Sequence, residues 1–284
     1  MNMPNEAAIK MEYIQQLFLG VQDFMQKKPD LEELIVYLDA IPGEFRSVAY
    51  ESASMEIGLY DLSKGTQLPE WEQFYFRSGE IHSFHLDIGL GWAFAKTGTF
   101  PAPIWEPLHP LMRWMIFDGM GYYHGLFKGR RTVKKQLIPE GVEGQDRQGY
   151  DQGLGRRLWY IAKGEVKDLV SLIQPFPSLR HPDLWRGVGI ACGYVGGNKK
   201  ANLELLSAAS GEWKPQLCTG IALAAMSRNT SESVNGDIKE ACQFICKMNL
   251  EEIVNILNQI ISKPDVDTRL NAANWINQLE SAFK

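Results

Sequence analysis

Several features that would assign this sequence to a common functional class are missing from it. No run of about 18 apolar residues occurs, so no membrane-spanning helix is expected. The first residues lack a basic region followed by an apolar run, so we expect no secretory signal. The formal net charge of −5 at pH 7 argues against binding to nucleic acid or to anionic membranes, because both need excess Lys and Arg. The sequence therefore predicts a cytoplasmic protein without nucleic-acid or membrane partners.

The short motifs of the common catalytic classes are also missing. The sequence contains no Walker loop, no Gly-any-Ser-any-Gly elbow, and no zinc-protease or kinase motif. It has only four cysteines, which fits a reduced protein. Cys242 and Cys246, four residues apart on a predicted helix, are more simply interpreted as small apolar core residues than as a metal or redox pair. We therefore predict an activity or a binding role that uses no cofactor.

What the sequence does contain is a recurrent pair of small residues. The pairs begin at Gly89, Gly119, Gly153, Gly187 and Gly220, so they recur in steps of 30, 34, 34 and 33 residues. A period of this length is typical of stacked helical hairpins. A dinucleotide-binding loop would need a preceding strand and a third glycine at fixed spacing. The pattern therefore favours helices whose backbones approach closely, with a wall for a substrate as the second interpretation.

Helix boundaries and partner helices can be read around these pairs. Pro177, Pro182, Gly196 and Gly197 lie where helices are expected to start or stop. Only SVAYESASMEIGLYDL, residues 47–62, is ambiguous between helix and strand. We predict an all-α protein of stacked antiparallel helix pairs, a HEAT-like α-α superhelix, in a single compact domain over residues 1–284. Residues 80–230 would be the repeat core that contains the pocket.

Aligning the glycine helices predicts which side chains are neighbours, because equal offsets share a direction at about 100° per residue. The residue before each first glycine is, in chain order, Ile88, Asp118, Gln152, Arg186 and Thr219. Four residues further along are Trp92, Tyr122, Arg156, Ile190 and Leu223. A face used only for core packing would be apolar. The central units are therefore predicted to present a polar ladder of Asp, Gln and Arg to a pocket.

A second pair of polar residues is predicted on another face of these helices. His124 and Asp151 point in nearly the same direction from adjacent helices, and such a pair can act as a general base with an orienting carboxylate. Asp151 can instead cap a helix start, with Gly149 just upstream, and a backbone carbonyl can satisfy His124. Arg156 and Arg157 project on different faces, so only one of them is expected to face the pocket. The sequence is consistent with both interpretations of the His–Asp pair.

A third polar group is found in the peptide GEIHSFH. It brings Glu80, His82 and His85 close together, and the two histidines suit one helix face. Structural zinc sites usually use four ligands, and no cysteine lies nearby. We therefore predict no metal site here.

Three segments together resemble a known family. GLGWAFAKTG, DGMGYYHGLFKG and YDQGLGRRLWYIAKG, followed by HPDLWRGVGIACGYVGG, are similar to domain-of-unknown-function family 1702 over roughly residues 84–197. That family is known mainly from gene clusters for enediyne polyketides and related bacterial natural products. The resemblance implies a place in natural-product assembly or tailoring, without an established reaction.

These observations lead to one functional hypothesis and one alternative. We predict a biosynthetic enzyme that acts on a hydrophobic polyene- or polyketide-like substrate by acid–base-assisted cyclisation, isomerisation or hydration. The predicted catalytic residues are Asp118, His124 and Asp151. The predicted substrate-binding residues are Trp92, Tyr122, Tyr123, Gln152, Arg156, Trp159, Trp185 and Arg186, although the tryptophans also suit a core. The alternative is a non-catalytic helical scaffold or binding protein for a carrier protein, a synthase or a reactive product.

Overall fold

The chain folds into helices throughout the part that the computed structural model describes, which comprises residues 5–65, 67–99, 110–261 and 272–284. These residues contain no β-strand and form one all-α domain, as predicted. The α-helices are α1 (Glu6–Met25), α2 (Leu31–Asp39), α3 (Arg46–Lys64), α4 (Pro69–Thr97), α5 (Pro110–Phe127), α6 (Gly144–Ile161), α7 (Val166–Ile173), α8 (His181–Val195), α9 (Lys200–Ala209), α10 (Lys214–Thr230), α11 (Gly236–Ala241), α12 (Leu250–Ile261) and α13 (Ala272–Ala282). No described helix is long and apolar enough to cross a bilayer.

Local sequence signals set several helix ends. The side chain of Asp30 caps α2 in a reciprocal capping box with Glu33, which satisfies backbone N–H groups that have no partner within the helix. Pro182 lies in the first turn of α8, and Gly196 follows its last residue with a positive φ of 70°. The predicted boundaries at Pro182 and Gly196 are therefore confirmed. The ambiguous segment 47–62 is helical and lies within α3.

The glycine pairs lie where neighbouring helix backbones touch. A Cβ atom at Gly119 would overlap the carbonyl oxygen of Ile88 on α4. The same contact recurs down the array, with Gly153 against Asp118, Gly187 against Gln152, and Gly220 against Arg186. Each first glycine thus packs against the residue that precedes the first glycine of the helix before it. The predicted register is confirmed, and close backbone packing explains why glycine is needed.

The array has one more member than the glycine spacing shows. Gly89 of α4 packs against the carbonyl oxygen of Glu51 and the Cβ atom of Ser54, both on α3. Glu51 therefore occupies the same register position as Asp118 and Gln152. In α3, serine takes the place of glycine as the small residue. The glycine repeat that is visible in the sequence therefore starts at α4 and leaves out α3.

Adjacent glycine helices run in the same direction, as the register requires. Three contacts between α5 and α6 advance by one helical turn on both helices: Trp114 to Gln152, Asp118 to Arg156, and Tyr122 to Tyr160. Helices α3, α4, α5, α6, α8 and α10 pack side by side in this order. Side chains at matched offsets therefore become spatial neighbours, and α1 packs across α3 beside them.

Candidate functional site

A pocket of about 260 Å³ lies where α1 meets the array. Helix α1 forms one wall, and residues of α3, α4, α5, α6 and α8 form the others. Because α1 and α3 contribute to it, this pocket extends beyond residues 80–230, within which the sequence predicted a pocket. Its rim carries two exposed apolar side chains, Leu19 and Phe127.

One wall of the pocket is a continuous row of aromatic rings. Phe18 of α1 stacks on Trp92 with ring centroids 4.7 Å apart, and Trp92 stacks on Tyr122 at 5.3 Å. Tyr122 meets the ring of Tyr160 edge-on at 5.5 Å. The indole nitrogen of Trp92 is buried and has no hydrogen-bond partner in the described part of the chain. A flat, apolar or conjugated molecule can pack along this row.

A histidine–carboxylate pair lies at the base of the pocket. The carboxylate of Glu51 lies 2.9 Å from Nδ1 of His85, and both side chains are buried. A neutral ring that donates from Nδ1 to Glu51 leaves a lone pair on Nε2, for which no described residue supplies a partner. The ring of Tyr194 lies 4.8 Å from the His85 ring. This is the arrangement of a general base whose second nitrogen is oriented by a carboxylate.

A second ion pair lies next to this dyad. Arg156 lines the pocket and donates to the carboxylate of Asp118, which also accepts a 2.7 Å hydrogen bond from Gln152. Burial raises the pKa of the Asp118 carboxyl, although Arg156 opposes this effect. Burial alone would lower the pKa of Arg156, but the carboxylates of Asp118 and Glu51 raise it, so the guanidinium stays charged. We therefore expect a fixed positive charge beside the histidine.

Behind the pocket lies a smaller cavity of about 30 Å³. His85, Arg156, Tyr160 and Tyr194 line both spaces, so these four side chains separate them. Burial raises the pKa of Tyr194 to about 12 and that of Tyr160 well above its usual value. Both phenols are therefore protonated near neutral pH and can donate hydrogen bonds. The remaining wall of the cavity is almost entirely apolar.

The structure brings together part of the predicted polar ladder. Trp92, Tyr122 and Arg156 line the pocket, and Asp118 and Gln152 lie behind Arg156 in direct contact with each other. The third member of the ladder, Arg186, is directed elsewhere and pairs with Asp183 and with Glu280 of α13. The ring of Trp114 links it to the ladder, because this ring lies 5.3 Å from the guanidinium and its indole nitrogen donates a hydrogen bond to Gln152.

The predicted His124–Asp151 pair is not formed. Asp151 pairs with Arg180, and it lies within α6 rather than at the helix start, so the capping interpretation is wrong as well. His124 lies 3.2 Å from the hydroxyl of Tyr150 and 3.3 Å from the carbonyl oxygen of Ala95. The alternative of a histidine satisfied by a backbone carbonyl is therefore confirmed. Neither His124 nor Asp151 is among the described residues that line the pocket.

The other predicted aromatic residues lie outside the pocket lining. Tyr123 packs edge-on against Trp92, with ring centroids 5.7 Å apart. Trp159 and Trp185 are buried in the core, as their alternative interpretation predicted. None of the three is among the described residues that line the pocket.

Five residues of the site that carry its aromatic wall or its polar base were not identified from the sequence as site residues: Phe18, Glu51, His85, Tyr160 and Tyr194. Tyr160 and Tyr194 share one signal, because each lies seven residues after the first glycine of its helix. His85 belongs to GEIHSFH, but its partner Glu51 comes from the ambiguous segment. His82 contacts Ser47 and the ring of Tyr50 instead of sharing a ligand with His85. The described residues include no group of three His, Cys, Asp or Glu side chains placed to hold a metal ion.

Comparison with known proteins gives one match. The model of the family described as "Protein of unknown function (DUF1702)" matches residues 2–283, which extends the resemblance from the central motifs to nearly the whole chain. No curated protein and no solved structure matches the chain. The comparisons therefore show the family and leave the chemistry to be argued from the site.

Proposed function

We propose that this chain, which belongs to the DUF1702 family, is an acid–base enzyme that acts on a small, largely apolar and unsaturated molecule. The observation that carries the proposal is the buried Glu51–His85 pair, in which Glu51 engages Nδ1 of His85 and His85 lines a pocket with an aromatic wall. Pockets of about 300 Å³ and more hold small molecules, so a volume of about 260 Å³ suits a compact or folded ligand.

Binding would come first from the aromatic row. Phe18, Trp92 and Tyr122 line the pocket with aromatic surface, which favours a planar, conjugated ligand over a saturated one of the same size. Arg156 and the phenols of Tyr160 and Tyr194 offer hydrogen-bond donors at the base of the pocket. A ligand that carries one carbonyl oxygen would therefore lie with this oxygen at the base and its hydrocarbon part along the row.

Proton transfer would then take place at His85. Its Nε2 removes a proton from a carbon next to the carbonyl group, and Glu51 stabilises the imidazolium that forms. The negative charge that develops on the carbonyl oxygen is stabilised by Arg156 and by the phenol donors. Return of the same proton at another carbon completes an isomerisation without a co-reactant. A cyclisation uses the same two proton steps, with ring closure between them and the pocket fixing the conformation.

Several finer expectations about the protein remain proposals. A polyene- or polyketide-like substrate and a role in natural-product biosynthesis depend on the family resemblance. A cytoplasmic location and the lack of a cofactor depend on composition and on missing motifs. The HEAT-like superhelix of antiparallel pairs depends on the spacing of the glycine pairs in the sequence. Within the site, we assign the base to His85 and give Asp118 the role of positioning Arg156.

The test is a proton-exchange screen in D2O. Conjugated carbonyl compounds are first selected by quenching of tryptophan fluorescence, with Trp92→Phe as the reference for signal from the pocket. Mass spectrometry then measures deuterium uptake into each bound compound. His85→Asn should remove deuterium uptake and change ligand affinity by no more than a few-fold. His124→Asn should keep both the deuterium uptake and the ligand affinity of the wild type.

Two outcomes would overturn the proposal. Uptake that is equal in the wild type and in His85→Asn would remove His85 as the base. Compounds that bind in the pocket without any uptake in the wild type would favour a binding protein for a reactive product, which is the alternative function.

A further inference from the structure

Three of the four cysteines lie together on the side of the array formed by α10. Cys218 belongs to α10, and Cys242 and Cys246 are the first and last residues of a π-helical turn that follows α11. The sulfur of Cys218 lies 3.9 Å from the carbonyl oxygen of Ile245, and the sulfur of Cys246 lies 3.9 Å from the carbonyl oxygen of Cys218. The two thiols are therefore interleaved, each beside the backbone that carries the other.

The surroundings give the two thiols different reactivity. The Cys246 thiol and Lys214, one turn earlier on α10, favour the thiolate form of Cys218 and lower its pKa. Burial of the Cys246 sulfur raises its pKa. The Cys246 residue as a whole is partly exposed to solvent. Nucleophilic attack by cysteine requires the thiolate. Cys218 is buried, with 2% exposure, whereas Cys246 is partly exposed, so a peroxide approaches the pair from the side of Cys246.

The third thiol of the cluster is the less suitable partner. Cys242 is fully buried, and burial raises its pKa to about 12. Among the described residues, no contact within hydrogen-bond distance joins the Cys242 sulfur to Cys218. The sulfurs of Cys218 and Cys246, in contrast, make the two contacts with carbonyl oxygens described above. Cys242 therefore provides a natural control within the same cluster.

We propose that Cys218 and Cys246 are a modification site at which a peroxide forms an intramolecular disulfide. One thiol of the pair, as the thiolate, attacks one oxygen of hydrogen peroxide, the O–O bond breaks, and this cysteine becomes a sulfenic acid while hydroxide leaves. The sulfur of the other cysteine then attacks the sulfenic sulfur, an S–S bond forms and hydroxide leaves again. The two thiols lose two electrons and two protons, and the peroxide is reduced to two molecules of water.

The disulfide would tie α10 to the turn 242–246. This cross-link closes the chain between residues 218 and 246, so it restricts the unfolded chain and raises the melting temperature. Cys218 lies on α10, two residues before Gly220. The same helix contributes Leu223 and Ala224 to the lining of the smaller cavity behind the pocket. The inference is independent of the proposed enzyme activity.

The experiment treats the folded chain with hydrogen peroxide and blocks all remaining thiols with an alkylating reagent before denaturation. Peptide mass spectrometry should then show a cross-link between the Cys218 and Cys246 peptides, with the loss of about 2 Da that accompanies disulfide formation. Cys242→Ser should keep this cross-link, and Cys246→Ser should reduce it at least tenfold while circular dichroism stays helical. The melting temperature of the wild type should rise on oxidation and fall again with dithiothreitol.

A cross-link that joins Cys242 in place of Cys246 would overturn the proposal, as would the lack of any cross-link in the folded wild type. The wild-type melting shift provides a readout that does not depend on whether the Cys246→Ser variant folds. A shift that persists after reduction would contradict a disulfide as its cause.

Discussion

Two buried histidines of this protein lie in opposite surroundings. The His85 cluster comprises Glu51, His85 and Tyr194, and the His124 cluster comprises His124, Lys128 and Tyr150. The two rings are almost equally buried, at 5% and 6% exposure. His85 has a carboxylate at Nδ1 and a free Nε2 in a pocket, whereas both nitrogens of His124 are engaged, and burial and Lys128 lower its pKa to about 4. Burial alone therefore does not distinguish a candidate base from a structural histidine; the partners do.

The largest effect is expected from breaking the carboxylate partner of His85. Glu51→Gln replaces the acceptor of the Nδ1–H bond with an amide, which cannot stabilise an imidazolium or secure the correct tautomer. We expect proton exchange into bound ligand to fall roughly 10²–10⁴-fold. Tyr150→Phe is the matched control, since it removes the partner of His124; it should change exchange less than about threefold and cost roughly 1 kcal/mol of stability. Equal losses in the two variants would contradict the comparison.

The next effect concerns the ion pair beside His85. Asp118→Asn takes the paired carboxylate away from Arg156, whose side chain is only 11% exposed, so urea unfolding should show a loss of roughly 3 kcal/mol. The double variant Asp118→Leu with Arg156→Met removes both charges of this pair and should recover part of this loss. If the double variant is less stable than Asp118→Asn, the charge argument does not hold.

A smaller effect is expected from the pH dependence of the His124 cluster. The pKa of His124 lies at about 4 in the folded chain, below its usual 6.5, so the unfolded state binds a proton first as the pH falls. Its contribution to stability is therefore complete above pH 6.5 and is lost as the pH falls towards 4. His124→Gln has no titrating group at this position. When the pH is lowered from above 6.5 to about 5, we therefore expect the wild type to lose roughly 2 kcal/mol more of its free energy of unfolding than His124→Gln does. Parallel stability curves for the two proteins would contradict the lowered pKa.

The smallest effect is expected in the aromatic row. Trp92→Phe keeps an aromatic ring between Phe18 and Tyr122 but removes part of the aromatic surface of the pocket, so ligand affinity should weaken by roughly 1 kcal/mol, or about fivefold. Tyr123→Phe, beside Trp92 but outside the described lining of the pocket, should leave affinity unchanged. Isothermal titration calorimetry measures the affinity of both variants. Unchanged affinity in Trp92→Phe would show that the ligand does not lie along the row.

The repeat of glycines was enough to predict much of this architecture. It gave the helical class and the register, because only glycine permits a carbonyl of the neighbouring helix to lie against the backbone, as at Gly119 and Gly153. It also placed Trp92, Tyr122 and Arg156 on one face. It did not reveal α3, in which serine serves as the small residue, and so Glu51 was not recognised.

The partners of charged side chains could not be predicted in the same way. Asp151 was expected to meet His124 because their directions agree on adjacent helices, yet Arg180 reaches it from the turn before α8. Arg186 was expected in the ladder, but Glu280 comes to it from the other end of the chain. Helical offsets give a direction for each side chain and leave open which of several groups in that direction is closest.

The helical class and the matched register of the glycine helices follow from the residues alone, because periodicity and small residues act locally and between adjacent helices. The place of the site follows from the folded chain, since α1 and α3 bring Phe18 and Glu51 against residues far along the sequence. The folded chain also decides that His85 has the free nitrogen. Whether a buried polar atom is satisfied depends on contacts between distant segments, and no local pattern records them.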